Sequence, residues 1–124
     1  MKSTVYVAGP MTGLPDYNKQ AFRRAADDLA HRGYAVVNPR DNFAGDASLK
    51  WTTYLRLALS QVASADEVCL LPDWEDSPGA RLEAAVGVAC GKHVWEYESG
   101  DSMAEVAGAK QARDIVEFIL GGGL

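Results

Sequence analysis

Thr4-Val5-Tyr6-Val7-Ala8-Gly9-Pro10, the segment from Phe22 to Gly33, and Tyr34-Ala35-Val36-Val37-Asn38-Pro39 are the three stretches that decide the fold. The first is a run of β-branched, aromatic and small apolar residues stopped by Gly-Pro, the pattern of a buried parallel strand entering a loop. After a turn-rich segment from Met11 to Pro15, Phe22, Ala25, Ala26, Leu29 and Ala30 recur at helical spacing, and Gly33 closes the helix as a C′ glycine. Residues 34–38 then read as a second strand, ended by Pro39. Strand, helix and strand within about 35 residues make a βαβ unit, whose crossover is right-handed in nearly all proteins.

Outward from this unit the pattern continues. Arg40 to Lys50 is polar and aperiodic, hence a loop, and a second helix is expected from about Trp51 to Ala63 with Trp51, Tyr54, Leu55, Ala58, Leu59 and Val62 on its apolar side. Asp66 to Pro72 reads as the third strand, and Asp73 to Ser77 as a loop. Ser77 is suited to N-cap a third helix with Pro78 at its first position, and Leu82, Ala85, Val86 and Ala89 are expected to form its core face before Gly91 ends it. Val94-Trp95 marks a short fourth strand, and a last helix is expected from about Met103 to Leu120. The expected architecture is α/β: one domain over residues 1–124, a three-layer flavodoxin-like or Rossmann-like sandwich around a parallel sheet of four or five strands.

Composition narrows the function. Hydrophobic residues make up 48% and charged residues 23% of 124, ordinary globular usage. A net charge of -5 offers no basic footprint for a nucleic-acid polymer, whereas a nucleotide monomer needs only a local cation or a helix N-terminus. No stretch approaches the ~20 apolar residues of a membrane span, and the apolar run before Gly9 is too short for a signal peptide, so a cytoplasmic location is expected. Cys69 and Cys90 read as small core residues. His31 and His93 lack a third group at metal spacing and read as structural, so neither metal nor cofactor is expected.

Ligands of open α/β sheets bind beyond the carboxyl ends of the strands, near the point where strand order reverses. Two loops fall there. In Ala8-Gly9-Pro10-Met11-Thr12-Gly13, glycine allows a ligand close to the backbone, making Gly9, Pro10 and Met11 candidate contacts. The segment from Asp73 to Glu83 is crowded with carboxylates. Glu83 lies about one and a half turns into the third helix. By itself it reads first as a solvated carboxylate favourable to the helix dipole, and Asp73, Glu75 and Asp76 as an ordinary polar loop. Ser77, Gly79 and the start of the helix form a possible anion seat to which Arg81 adds charge, although Arg81 is equally suited to a surface ion pair. Trp74 is a candidate for stacking on a base, while Trp51 reads primarily as core.

Together, Tyr6-Val7-Ala8-Gly9-Pro10-Met11-Thr12-Gly13, Leu71-Pro72-Asp73-Trp74-Glu75 and Ser77-Pro78-Gly79-Ala80-Arg81-Leu82-Glu83 resemble the nucleoside 2-deoxyribosyltransferase-like superfamily, most closely its small phage and prophage branch (DUF4406-like). The likeness runs to about Val94. It implies that Glu83 attacks the anomeric carbon of a nucleoside, that Tyr6 orients Glu83, and that Asp76, seven positions earlier, protonates the departing base, with Asp66 as a weaker alternative. An ionised carboxylate beneath C1′ suits an oxocarbenium-like transition state. The resemblance further implies a homo-oligomer, for which helix two and Val106, Ile115, Phe118 and Ile119 offer apolar material. One departure stands out: relatives commonly carry an Asp two residues after the Arg of helix two, and here Ala58 follows Arg56. Two functions are therefore expected to compete: an N-glycosidase or deoxyribosyltransferase acting on a nucleoside or deoxynucleoside monophosphate, and a non-catalytic module that binds or sequesters a nucleotide. An assembly protein with a vestigial pocket is a weaker third.

Overall fold

The computed structural model describes residues 2–97 and 103–105 together with Glu117. Its main elements are β1 (Thr4–Ala8), α1 (Lys19–His31), β2 (Ala35–Val37), α2 (Trp51–Ser64), β3 (Glu67–Leu70), α3 (Pro78–Ala89), β4 (His93–Tyr97) and β5 (Met103–Glu105). The sheet order is β2-β1-β3-β4-β5. The first four strands in that order run parallel, with Val5 opposite both Val36 and Glu67 and Val68 opposite Val94. The chain goes from β1 outward to β2 and then returns to the other side of β1 for β3. The order thus reverses beside β1, and a crevice opens beyond the carboxyl ends of β1 and β3.

Alternation along β1 divides the core into two faces. Val5 and Val7 meet Phe22, Ala25 and Leu29 of α1, while Tyr6 and Ala8 face the side covered by α2 and α3. The expected caps are present: Ser77 Oγ accepts from the Ala80 amide at 3.2 Å with Pro78 at the first helical position, and Gly33 and Gly91 end their helices at φ +99° and +73°.

Three expectations fail. The core face of α3 is not Leu82, Ala85, Val86 and Ala89; Ala89 is exposed and the other three only half-buried. The buried stripe is Gly79, Ala80, Glu83, Ala84 and Gly87. Small residues win because they bring the helix onto the sheet: a Cβ at Gly87 would stand 2.9 Å from Val68 Cγ2 and 3.3 Å from Val94 Cγ2. Secondly, Met103–Glu105 does not begin a helix but forms β5, antiparallel to β4, where Glu96 pairs with Ala104. The edge of β4 supplies ladder partners, and that context overrides local helical preference. The remainder of the expected last helix, apart from Glu117, which is helical, lies outside the described residues, as do Val106, Ile115, Phe118 and Ile119. Thirdly, Cys90 is exposed; Cys69 is buried and its thiol is pushed up to about 12, first by burial, which makes it inert.

Candidate functional site

The rotation of α3 towards the sheet creates the site. Glu83 is one turn before Gly87 on the same helix face, and that face is held against β3 and β4. The one long polar side chain in a stripe of glycines and alanines is therefore carried inward, 7% exposed, at the carboxyl end of the sheet. Tyr6, completely buried, comes from β1 on the same side.

Both residues line a cavity of about 250 Å³. Its walls come from four segments: Gly9, Met11, Thr12 and Tyr17 after β1; Pro39, Arg40 and Asn42 after β2; the first two turns of α2; and Ser77, Gly79 and Ala80 opening α3. Among the described residues lining it, Glu83 is the sole carboxylate and Arg40 the sole cation. Trp51, 52% exposed, stands over the start of α3: a Cβ at Gly79 would lie 3.8 Å from its ring and 4.0 Å from Glu83 Oε1. A planar ligand group can enter between an indole and a buried carboxylate.

Burial raises Glu83 from 4.5 to about 7, and the Tyr6 hydroxyl partly opposes this by stabilising the charged form. Reciprocally, burial first and the Glu83 carboxylate second hold Tyr6 well above the usual phenol range. The two groups are electrostatically coupled, but the Tyr6 hydroxyl closes no hydrogen bond of ordinary geometry within the described residues.

The mouth is built from strained loops. Asp16, Tyr17 and Asn18 after β1, and Phe43 and Ala44 after β2, hold φ between +50° and +63°. Non-glycine residues adopt this region at a cost of about 1 kcal/mol or more, sustained only where the surroundings enforce it. Here Asn18 Nδ2 donates to the Pro10 carbonyl at 3.0 Å, and Asn42 and Gln61 exchange two amide hydrogen bonds of 2.9 Å that tie the second loop to α2.

Gly9, Met11, Ser77, Gly79, Tyr6 and Glu83 thus share one cavity, whereas Pro10, Trp74, Asp76 and Arg81 do not line it. Trp74 is buried in the core, its indole N–H donating to Glu96 Oε1 at 3.0 Å. Asp76 is exposed beyond the N-terminus of α3, and Arg81 is half-buried with a partner of its own. Asp66 accepts from the Thr4 amide at 2.8 Å at the amino ends of the strands, the far side of the sheet. Trp51, expected in the core, lies at the mouth instead. Arg40, Asn42 and Tyr17 were not singled out by sequence. The available signal was Asn38-Pro39: a strand ending there delivers its loop to the same carboxyl edge as β1 and β3.

The same α/β fold is found in two solved 2-deoxyribosyltransferases. The 2-deoxyribosyltransferase of Bacillus psychrosaccharolyticus superposes with a TM-score of 0.64 at 20% identity, over 84% of this chain and 78% of that one. The 2-deoxyribosyltransferase of Leishmania mexicana gives 0.61 at 18% identity, over 79% of this chain and 65% of that one. The chain belongs to the family described as domain of unknown function DUF4406, which matches residues 3–96. No curated protein matches it in sequence. Among the described residues no helix is long and apolar enough to cross a membrane.

Proposed function

We propose that this protein cleaves the N-glycosidic bond of a 2′-deoxynucleoside or its 5′-monophosphate, with Glu83 as nucleophile. A Glu83 carboxylate oxygen forms a bond to C1′ while the bond from C1′ to the base nitrogen breaks, its electron pair leaving with the base. The base takes up a proton from water in the open mouth, since no second carboxylate among the described residues lines the cavity. Water, or the nitrogen of another base, then displaces the deoxyribosyl group from Glu83. Water completes hydrolysis; a second base completes transfer. Tyr6 orients Glu83 and holds part of its charge.

The observation that carries this reading is the burial of Glu83, alone of the acidic residues among those described, in a sugar-sized cavity with Tyr6 beside it and the Trp51 ring opposite. The test is release of free base from a panel of 2′-deoxynucleosides and their 5′-monophosphates, followed by chromatography. Release is expected from the native protein and not from Glu83→Ala; release unchanged in that variant removes Glu83 from the mechanism.

A second reading rests on Ala58, which lines the cavity where relatives were expected to carry an aspartate. A cavity with a single carboxylate suits a module that binds a nucleotide without cleaving it. Thermal stabilisation by nucleotides with no base released would favour this reading, because a ligand that binds only the native state raises its stability.

A further inference from the structure

The glycosidase reading leaves one charged wall of the cavity without a task. Arg40 sits on the turn after β2, its amide held by Asn38 Oδ1 at 3.0 Å, on a loop that the Asn42 and Gln61 amide pair fastens to α2. Its backbone is thus fixed on two sides. Its side chain is only partly exposed and lines the cavity, and Nε is buried without a hydrogen-bond partner among the described residues. The ion pairs of the described residues join other arginines, Arg23 to Asp27 and Arg32 to Asp28.

A guanidinium does not lose its proton to escape burial, and a buried N–H without an acceptor is unfavourable. For a guanidinium on a cavity wall the strongest partner is an anion within the cavity, with a phosphate or carboxylate far better than a neutral carbonyl. Among the described residues, Glu83 is the sole acidic one lining the same cavity, and the proposed reaction needs it at the sugar. We propose that Arg40 seats the 5′-phosphate of the substrate, so that the cavity selects deoxynucleoside monophosphates over deoxynucleosides. The proposal rests on the glycosidase reading for the orientation of the sugar, but not on turnover. With the anomeric carbon at Glu83, the 5′ substituent extends away from the carboxylate that would repel it, towards a wall carrying positive charge.

Calorimetric titration tests this without any reaction. Proteins carrying Arg40 and Arg40→Gln, both on the Glu83→Gln background to prevent cleavage, are each titrated with a 2′-deoxynucleoside and with its 5′-monophosphate. At least a tenfold preference for the monophosphate is expected in the Arg40 protein. Arg40→Gln is expected to remove that preference while leaving nucleoside affinity within about twofold. Arg40→Lys, which keeps the charge but loses the fork, is expected to fall between them, and the unchanged nucleoside affinity shows that the variants are folded. Absence of any preference in the Arg40 protein overturns the proposal. So does an equal loss of affinity for both ligands in Arg40→Gln, which would assign Arg40 to the base. Preserved phosphate preference without base release by the native protein would instead sink the glycosidase reading and leave the phosphate seat standing.

Discussion

Two acidic regions adjoin the start of α3, and they behave in opposite ways. Asp73, Glu75 and Asp76 crowd the loop before it, all exposed, while Glu83 stands alone one and a half turns in and is buried. Glu75 is raised first by desolvation and then by the neighbouring carboxylates of Glu96, Asp76 and Asp73, which repel its charge. Glu83 is raised by burial and met by a hydroxyl that stabilises its charge. The sequence concentrates negative charge in the loop; among the described residues, the carboxylate that the fold carries inward is Glu83, set among small neighbours. Charge density in a sequence and reactivity at a site are therefore different quantities, and the second is set by which face of a helix can approach a sheet.

The sharpest way to break this contrast is substitution on both sides of it. Glu83→Gln is expected to lower base release by roughly 1,000-fold or more, the usual scale for a missing nucleophile. The same variant is expected to be more stable than the native protein above pH 7, by about 3 kcal/mol at most for a shift from 4.5 to about 7. The sign follows from proton binding: between pH 4.5 and 7 the folded protein holds the Glu83 proton that the unfolded chain has released. Native stability therefore falls as pH rises through that window, and Glu83→Gln flattens the fall. Denaturant unfolding at pH 4, 5.5, 7 and 8 measures it.

Tyr6→Phe probes the coupling inside the buried region. Removing the hydroxyl takes away what lowers Glu83, so the midpoint of the pH-rate profile, expected near 7 with activity rising on the alkaline side, should move upward. The rate at pH 7 should fall roughly threefold or more, because a larger fraction of Glu83 is then protonated. A profile that does not move would detach Tyr6 from Glu83. The smallest effect belongs to the loop: Asp76→Asn is expected to change base release by less than about twofold and stability by less than about 0.5 kcal/mol, as for other exposed positions. A loss comparable to that of Glu83→Gln would place the second acid there and erase the contrast.

The parallel framework was legible because its signals are local. Val5 and Val7 alternate with Tyr6 and Ala8 on a strand that Gly9-Pro10 stops, and Ser77-Pro78 and Gly33 cap their helices chemically. The face of α3 was not legible from hydrophobicity, since Leu82 and Val86 look more like core than Gly79, Ala80 and Gly87. Close approach to the sheet is a steric property, visible only with Val68 and Val94 in place. The two tryptophans exchanged their expected positions for a related reason. Trp74 enters the core because Glu96 accepts its N–H there, whereas Trp51 opens its helix with its ring half-exposed at the cavity mouth. Glu83 and Tyr6 were found through resemblance, and Arg40 only through the cavity.

The most direct measurement is the mass of the protein itself, quenched in acid during incubation with the deoxynucleoside and monophosphate panel and then digested. A nucleophilic Glu83 predicts one deoxyribosyl group, with or without its phosphate, esterified to the peptide containing residue 83 and absent from Glu83→Gln. Base release with the label on another residue would contradict the assignment.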